Sequence, residues 1–212
     1  MVKVKVKICG ITEKKDAKMC EMAGADIIGV VSNVGITSPR AVDLKKCGEI
    51  LSQISSTKVV VACLNSIYMA EDIVKTVEPD LIQLHGRESV DLVKDIKDSL
   101  GIKVIKALQV KDVNVVKQAI EYSRVSDFIL LDTYSKIGGG SGTVHDWGIS
   151  RMVVENIKCP VILAGGLNPK NVKDAIKNVK PFAVDVSSGV EVSTGKKDLK
   201  LVLDFIKNAK SP

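Results

Sequence analysis

The feature that most constrains the fold is a regular alternation of short apolar runs with longer amphipathic segments. Eight runs rich in Val, Ile and Leu recur about every 25 residues, which is the spacing of a strand-then-helix repeat. The runs are 2–8, 26–31, 58–64, 80–85, 103–108, 128–132, 160–164 and 183–187. Helix-like segments lie between and after them, at 13–23, 43–53, 70–77, 90–100, 113–122, 147–156, 171–178 and 199–209.

This repeat predicts a parallel barrel. Strands that alternate with helices must run parallel, and right-handed crossovers must join them. Eight such units predict that residues 1–212 form a single α/β domain, a compact (β/α)8 TIM barrel. An open, doubly wound sheet is the alternative arrangement of the same elements. A chain of 22.8 kDa with 45% hydrophobic residues can fill one such core.

Composition favours a small anionic ligand over a nucleic acid or a membrane. The net charge is +6, but the lysines are scattered, and only 3% of residues are aromatic, so stacking platforms for bases are missing. Neither a signal sequence nor an apolar run of about 18 residues is present, which predicts a cytoplasmic protein. Five cysteines without a C-x-x-C pair predict reduced thiols.

A barrel carries its chemistry at the carboxyl ends of its strands, where the loops can vary. Cys9 ends the first run, and Lys7 shares its parity, so we expect an ammonium group beneath the thiol that lowers its pKa. The alternative for Cys9 is a small buried hydrophobe. The other cysteines are assigned to packing: Cys20, Cys47, Cys63 and Cys159.

Two aspartates lie on apolar runs. Asp132 closes the sixth run, where desolvation would raise its pKa and make it a proton donor. Capping of the following turn is the alternative for Asp132. Asp185 has apolar neighbours in the eighth run, so its carboxylate must find a partner inside the barrel.

Glycine-containing loops follow the last three runs. Residues 164–171 and 187–189 come after the seventh and eighth runs, where barrels commonly bind phosphate through backbone N–H groups. Ordinary left-handed turns are the alternative. The loop 136–147 precedes a helix that Asp146 can cap, and its glycines permit closure over a ligand.

Three further side chains are candidates for polar contacts. Arg40 follows the second run and is suited to a planar carboxylate. His85 ends the fourth run, and His145 lies in the glycine-rich loop. No third ligand accompanies the two histidines, so we predict no metal site.

Taken together, these motifs resemble the phosphoribosylanthranilate isomerase family, the small single-domain barrels of tryptophan biosynthesis. The resemblance covers essentially the whole chain. KICG and DVSSGVE are its most specific motifs, at 7–10 and 185–191. The others are SPR, QLHG, LLD, GGGSG followed by DW, and AGGLNP.

The resemblance implies an Amadori rearrangement of a phosphorylated ribosyl amine of anthranilate, with Cys9 as general base and Asp132 as general acid. No metal or redox cofactor is implied, because the imine of the substrate is the electron sink. Arg40 would hold the anthranilate carboxylate, and Lys7 and His85 would also bind the substrate. The implied phosphate-binding residues are Gly142, Gly165, Gly166, Ser187, Ser188 and Gly189. The expected partner is a small phosphosugar, with no nucleic acid or membrane, and the chain is expected to be a monomer or homodimer.

The chain departs from the family pattern at two places. Ser32 and Asn33 stand where aromatic residues are usual, and His145 stands where Phe is common. We expect these changes to affect packing of the anthranilate ring and loop closure. Two alternatives remain: another phosphosugar barrel, which would need an aspartate in place of Cys9 or metal-binding residues, and a barrel that binds phosphorylated ligands without catalysis.

Overall fold

The chain folds as a closed barrel of parallel strands, each followed by a helix. The computed structural model describes residues 4–133 and 144–211. Within these residues the barrel strands are β1 (Lys5–Ile8), β2 (Ile27–Ser32), β3 (Thr57–Ala62), β4 (Leu81–Leu84), β5 (Lys103–Val110), β6 (Phe128–Thr133), β7 (Val161–Leu163) and β8 (Ala183–Val186). The helices are α1 (Lys14–Met22), α2 (Leu44–Leu51), α3 (Ile67–Val77), α4 (Val90–Leu100), α5 (Val115–Tyr122), α6 (Trp147–Asn156), α7 (Val172–Val179) and α8 (Leu199–Lys210).

The sheet closes on itself. Strand β1 pairs in parallel with β2 on one side and with β8 on the other. The remaining strands pair in chain order, each parallel to the next. The predicted (β/α)8 barrel is therefore confirmed, and the open sheet is excluded because an open sheet has two edge strands that do not meet.

Alternation along the strands separates two cores. Residues of one parity pack outward against the helices, and those of the other parity fill the barrel interior. Val59, Leu81, Ile105, Leu130 and Ile162 are buried together in that interior. Gln83 and Asp132 follow Leu81 and Leu130 at the same parity, so polar side chains enter the interior toward the carboxyl ends of β4 and β6.

A repeated aspartate fixes the amino ends of the even strands. Immediately before β2, β4 and β6, an aspartate donates its backbone N–H to a carbonyl of the preceding strand. The residue that carries this carbonyl donates its own backbone N–H to the carboxylate of the aspartate, at 2.9, 2.7 and 2.9 Å. The pairs are Asp26 with Val6, Asp80 with Lys58, and Asp127 with Val104. Each aspartate therefore sets the register between two neighbouring strands.

Three short elements interrupt the repeat, and the apolar pattern did not predict them. Ala41–Val42 adds a two-residue strand beside β2. After β8 come a 3₁₀ turn, Ser188–Val190, and an antiparallel hairpin of Glu191–Ser193 with Lys196–Lys197. The additions flank the carboxyl ends of β2 and β8, on either side of β1.

Candidate active site

A cavity of about 460 Å³ opens at the carboxyl ends of the strands. Residues that line it come from the ends of all eight strands or the loops after them, and include Cys9, Gln83, His85, Asp132, Asp185 and Ser187. Cys9 and Asp132, which the sequence predicted as the catalytic pair, thus face one hollow from β1 and β6. The barrel brings them together because both share the parity of the inward-facing residues of their strands.

Lys7 lies directly beneath this cavity. Its side chain has no solvent exposure, and its ammonium donates a hydrogen bond to Asp185 Oδ1 at 3.0 Å. The prediction that Asp185 finds a partner inside the barrel is confirmed. Lys7 was predicted to bind the substrate, but it is not among the residues that line the cavity. From its place beneath the cavity, the Lys7 ammonium can act on the Cys9 sulfur.

Gly29 on β2 leaves the space that Lys7 and Cys9 share. A Cβ atom at Gly29 would lie 2.9 Å from Cys9 Sγ and 3.1 Å from Lys7 Nζ. Both distances are shorter than ordinary van der Waals contact. The absence of a side chain at this position therefore permits the sulfur and the ammonium to occupy adjacent places in the barrel.

Burial dominates the ionisation of Cys9. Desolvation raises the pKa of the Cys9 thiol above its usual value, and the Lys7 ammonium, which lowers it, offsets only part of that effect. The predicted effect of the Lys7 ammonium, which lowers the pKa of the thiol, is confirmed, but desolvation of the thiol exceeds it. For Lys7, burial opposes the charge, but Asp185 and Cys9 together raise the pKa of its ammonium.

Asp132 has the environment predicted for a proton donor. Burial raises the pKa of its carboxyl group, and this effect exceeds the opposing influence of His85. Asp132 Oδ1 accepts the backbone N–H of Thr133 at 2.8 Å, and Oδ2 lies 3.6 Å from Nε2 of His85. His85 lines the cavity beside it. Burial also lowers the pKa of His85, which favours the neutral imidazole.

Arg40 lines the cavity but already holds a carboxylate of the protein. Its Nε and Nη2 donate to Glu191 Oε1 and Oε2 at 2.8 and 2.7 Å. Glu191 also accepts from the buried Lys197 ammonium at 2.8 Å. The bidentate geometry fits the prediction that this guanidinium is suited to a carboxylate. Glu191 and Lys197 were not predicted as site residues, because the hairpin that brings them here has no apolar periodicity.

The loops predicted to bind phosphate lie at one side of the same cavity. Gly165, Gly166, Ser187 and Ser188 all line it. Gly165 and Gly166 have φ of 84° and 67°, in the left-handed region that favours glycine. Gly189 is not among the lining residues. It packs closely against the loop after β7, where a Cβ on this residue would lie 2.0 Å from the carbonyl oxygen of Leu167. Gly142, the remaining predicted phosphate-binding residue, lies outside the described residues.

The assignment of Cys63 to packing was wrong. The apolar run 58–64 suggested that this cysteine is a packing residue within a strand. In the structure β3 ends at Ala62, and Cys63 follows it and lines the cavity. The strand end was misplaced because Leu64 continues the apolar run. A shorter strand would have revealed Cys63 as a residue of the cavity wall.

His145 connects the end of β6 to the start of α6. Its Nδ1 lies 3.0 Å from Thr133 Oγ1, and its Nε2 lies 2.6 Å from Oγ of the buried Ser150. Burial lowers the pKa of His145 to about 4, so the imidazole is neutral near pH 7. His145 is not among the residues that line the cavity.

Two other kinds of site are absent from the described residues. Residues 4–133 and 144–211 contain no group of three or more His, Cys, Asp or Glu side chains placed to hold a metal ion. Among the helices in those same ranges, none has the length and apolar character that a membrane span requires.

Comparison with known proteins gives the family. Residues 6–208 match the family described as N-(5'phosphoribosyl)anthranilate (PRA) isomerase. The N-(5'-phosphoribosyl)anthranilate isomerase of Methanocella arvoryzae is 43% identical over 209 residues, which cover 97% of this chain and 98% of that protein. The crystal structure of phosphoribosyl anthranilate isomerase from Thermotoga maritima is 38% identical, with a TM-score of 0.89 and 98% of each chain covered. A similar crystal structure, 36% identical with a TM-score of 0.85 and 98% of each chain covered, is of phosphoribosyl anthranilate isomerase in complex with reduced 1-(o-carboxyphenylamino)-1-deoxyribulose 5-phosphate. With its barrel, its paired Cys9 and Asp132, and these relatives, the chain belongs to the N-(5'-phosphoribosyl)anthranilate isomerase family.

Proposed function

We propose that this chain converts N-(5-phosphoribosyl)anthranilate to 1-(2-carboxyphenylamino)-1-deoxyribulose 5-phosphate in tryptophan biosynthesis, with Cys9 as general base and Asp132 as general acid. The observation that carries the assignment of roles is that a thiol and a carboxyl group face one cavity from β1 and β6. The family match and the relatives support the reaction.

Asp132 starts the reaction by donating its proton to the ring oxygen of the ribose. The ring then opens to a Schiff base between the anthranilate nitrogen and the first sugar carbon. Burial raises the pKa of Asp132, so the carboxyl group retains its proton to a higher pH than an exposed aspartic acid does. The resulting carboxylate has the Thr133 N–H already bound to Oδ1.

Cys9 completes the rearrangement as a thiolate. It removes the proton from the sugar carbon next to the imine, which gives an enolamine, and reprotonation gives the ketone. Because burial raises the pKa of Cys9, its thiolate is a strong base once formed. The buried Lys7 ammonium stabilises that anion at short range, and Asp185 keeps Lys7 in place.

The two anionic groups of the substrate would bind to residues that line the cavity. Arg40 would bind the anthranilate carboxylate through guanidinium N–H groups other than the two, on Nε and Nη2, that Glu191 accepts. Backbone N–H groups around Gly165, Gly166 and Ser188 would bind the phosphate, together with Ser187, Gly189 and Gly142. These assignments rest on the loops that line the cavity and on the resemblance of the motifs.

We further propose that the chain acts in the cytoplasm on a small phosphosugar and needs neither a metal nor an organic cofactor. It binds no nucleic acid or membrane. It works as a monomer or homodimer.

The decisive experiment follows the loss of anthranilate-like fluorescence after freshly made phosphoribosylanthranilate is mixed with purified protein. We expect Cys9→Ala and Asp132→Asn each to lower kcat by about 10²- to 10⁴-fold, the usual contribution of a general base or acid. Cys159→Ala and Asp95→Asn replace a cysteine and an aspartate that do not line the cavity, and should retain wild-type kcat.

Circular dichroism spectra of the variants separate loss of chemistry from loss of fold. Wild-type kcat in either Cys9→Ala or Asp132→Asn would contradict the assigned roles. An inactive wild-type protein with a native spectrum would contradict the proposed reaction itself.

A further inference from the structure

Gln83 is a buried polar residue inside the barrel. It lies on β4 with the parity of Leu81, and its neighbours in register are Val61 and Ile105. Only 2% of its surface is exposed. Its Nε2 lies 3.1 Å from Nδ1 of His85, while its Oε1 is buried and has no hydrogen-bond partner among the described residues.

The contact with Gln83 determines which nitrogen of His85 carries the proton. An amide nitrogen is only a donor, so Nδ1 of His85 must accept and must be bare, and in the neutral ring the proton is then on Nε2. The structure has Nε2, not Oε1, toward Nδ1 of His85, and this orientation of the amide assigns the tautomer.

With this tautomer, a donor on His85 faces the proposed acid. Nε2 lies 3.6 Å from Asp132 Oδ2, while Oδ1 already accepts the Thr133 N–H. When Asp132 releases its proton, the negative charge develops between two N–H groups. A shift of less than 1 Å brings the His85 N–H into hydrogen-bonding range of the new carboxylate.

We propose that Gln83 is a positioning residue for the proton donor: it holds His85 in the tautomer whose Nε2–H stabilises the carboxylate of Asp132 after proton transfer. This inference deepens the proposed function and rests on it. In this role Gln83 acts through His85.

The unpaired Oε1 argues for this role. A buried amide with one unsatisfied atom destabilises the fold relative to an apolar side chain of similar size. A residue that served the fold alone would gain nothing from that amide. Replacement of Gln83 by Met should therefore affect kcat and stability differently. The kcat should fall because the control of the tautomer is lost, whereas the stability should not fall because the unpaired acceptor is also removed.

Burial favours the neutral form of His85. Burial lowers the pKa of the imidazole, and Lys7 and Lys106 act in the same direction, while Asp132 and Asp185 oppose them. A neutral ring has two possible tautomers in the absence of Gln83. Loss of the amide thus changes the proton position without requiring a change of charge.

Nitrogen NMR tests the tautomer without reference to activity. The chain has only two histidines, so spectra of ¹⁵N-labelled protein are simple, and His85→Ala identifies the signals of His85 by their loss. We expect His85 to show the Nε2–H tautomer in the wild-type protein and a mixture of tautomers in Gln83→Met. A wild-type His85 with its proton on Nδ1, or with both nitrogens protonated near pH 7, overturns the proposal.

Kinetics test the consequence. We expect Gln83→Met to lower kcat at least fivefold with little change in KM, to leave the stability to urea unchanged or higher, and to have no further effect on kcat in a His85→Ala background. The exposed Gln53, which lies beyond the end of α2, provides the matched control, since Gln53→Met should change neither measurement.

Two kinetic results overturn the proposal: wild-type kcat in Gln83→Met, or the same fold-loss of kcat with and without His85. Both require an active wild-type protein. If the wild-type protein were inactive, the proposed function would fail, and the NMR measurement would still decide whether Gln83 sets the tautomer.

Discussion

An ammonium group without access to solvent lies beneath the thiol of Cys9. Such a charge is costly to bury unless it is paired, and Lys7 is paired with Asp185 at 3.0 Å. Its proximity to Cys9 gives the charge a second partner whenever the thiol ionises. Together with burial, the pair therefore influences how much of Cys9 is thiolate at a given pH.

Replacement of Lys7 tests this control. We expect Lys7→Met to raise the pKa of Cys9, because burial then acts on the thiol without an opposing charge. The pH midpoint of Cys9 alkylation by iodoacetamide should move upward, and the rate at a fixed pH below that midpoint should fall several-fold. Lys5→Met removes an exposed lysine from the same face of β1 and should leave the midpoint unchanged.

Loss of Lys7 also leaves Asp185 buried without its partner, which costs about 3–5 kcal/mol. The double variant Lys7→Met with Asp185→Asn removes both charges and should recover most of that stability, while the midpoint of Cys9 stays high. A midpoint that returns to the wild-type value in the double variant would contradict the role of Lys7. The Cys9→Ser variant measures how much iodoacetamide reacts with the other thiols, which is the background of the alkylation experiment.

At the scale of the strands, three aspartates set the register at the amino end of the barrel. Asp26, Asp80 and Asp127 each close a ring with one residue of the preceding strand. The device occurs before β2, β4 and β6, whereas Phe182 precedes β8 and stacks on Phe128 with ring centroids 5.6 Å apart. Before β8, Phe182 donates its backbone N–H to the carbonyl of Val161 as the aspartates do to theirs, but its side chain packs on an aromatic ring.

Asp80 gives the simplest test of this device. We expect Asp80→Ala to lower the free energy of unfolding by about 1–2 kcal/mol, because the Lys58 N–H loses its carboxylate acceptor. The kcat should be unchanged, since this end of the barrel is opposite the cavity. Urea denaturation measures the first quantity. Asp95→Ala on the exposed face of α4 is the control, and an equal loss of stability there would remove the special role of Asp80.

At the scale of the whole molecule, the two ends of the chain meet at Asp26. Its carboxylate accepts the ammonium groups of Lys5 from β1 and Lys210 from the end of α8, at 2.9 and 2.8 Å. Lys210 also donates to the carbonyl of Gly24 at 2.7 Å. One side chain before β2 thus joins the first strand to the last helix.

The pH dependence of stability tests this junction. Burial opposes ionisation of Asp26, but Lys210, Lys5 and the Val6 N–H outweigh it, so its pKa in the folded protein lies below the usual range. The stability that Asp26 contributes is therefore present above its unfolded pKa, at about 4, and is lost as the pH falls through the lower folded value.

We expect Asp26→Asn to be less stable than the wild-type protein at pH 7, and the gap to close as the pH falls below about 4. Urea midpoints at pH 7, 5 and 3 measure it. Lys210→Met should show a smaller loss at pH 7, because Lys5 still holds the carboxylate. A gap that is constant over this pH range would contradict the ion-pair explanation.

Much of this architecture could be predicted from the sequence, because the apolar repeat specifies strands and helices by a short-range physical rule. Cys9, Asp132 and His85 were found because they end apolar strands. Glu191 and Lys197 were not found, since their approach to Arg40 depends on how a polar hairpin folds.

Gln83 was missed for a different reason. It lies inside an apolar run, where one polar residue does not disturb the pattern, and its importance depends on a contact with its neighbour two residues later. The raised pKa of Cys9 was missed because desolvation depends on the surroundings in three dimensions. The sequence therefore reveals where strands end more readily than what surrounds each end.

Gly29 has a consequence for protein engineering. Any side chain at this level of the second strand would collide with the sulfur or the ammonium of the first. A designer who wishes to transplant such a base into another eight-stranded scaffold must first reduce the facing residue of the adjacent strand to glycine, and only then introduce the cysteine and lysine. Without that glycine, the sulfur or the ammonium would have to move from its place in the barrel.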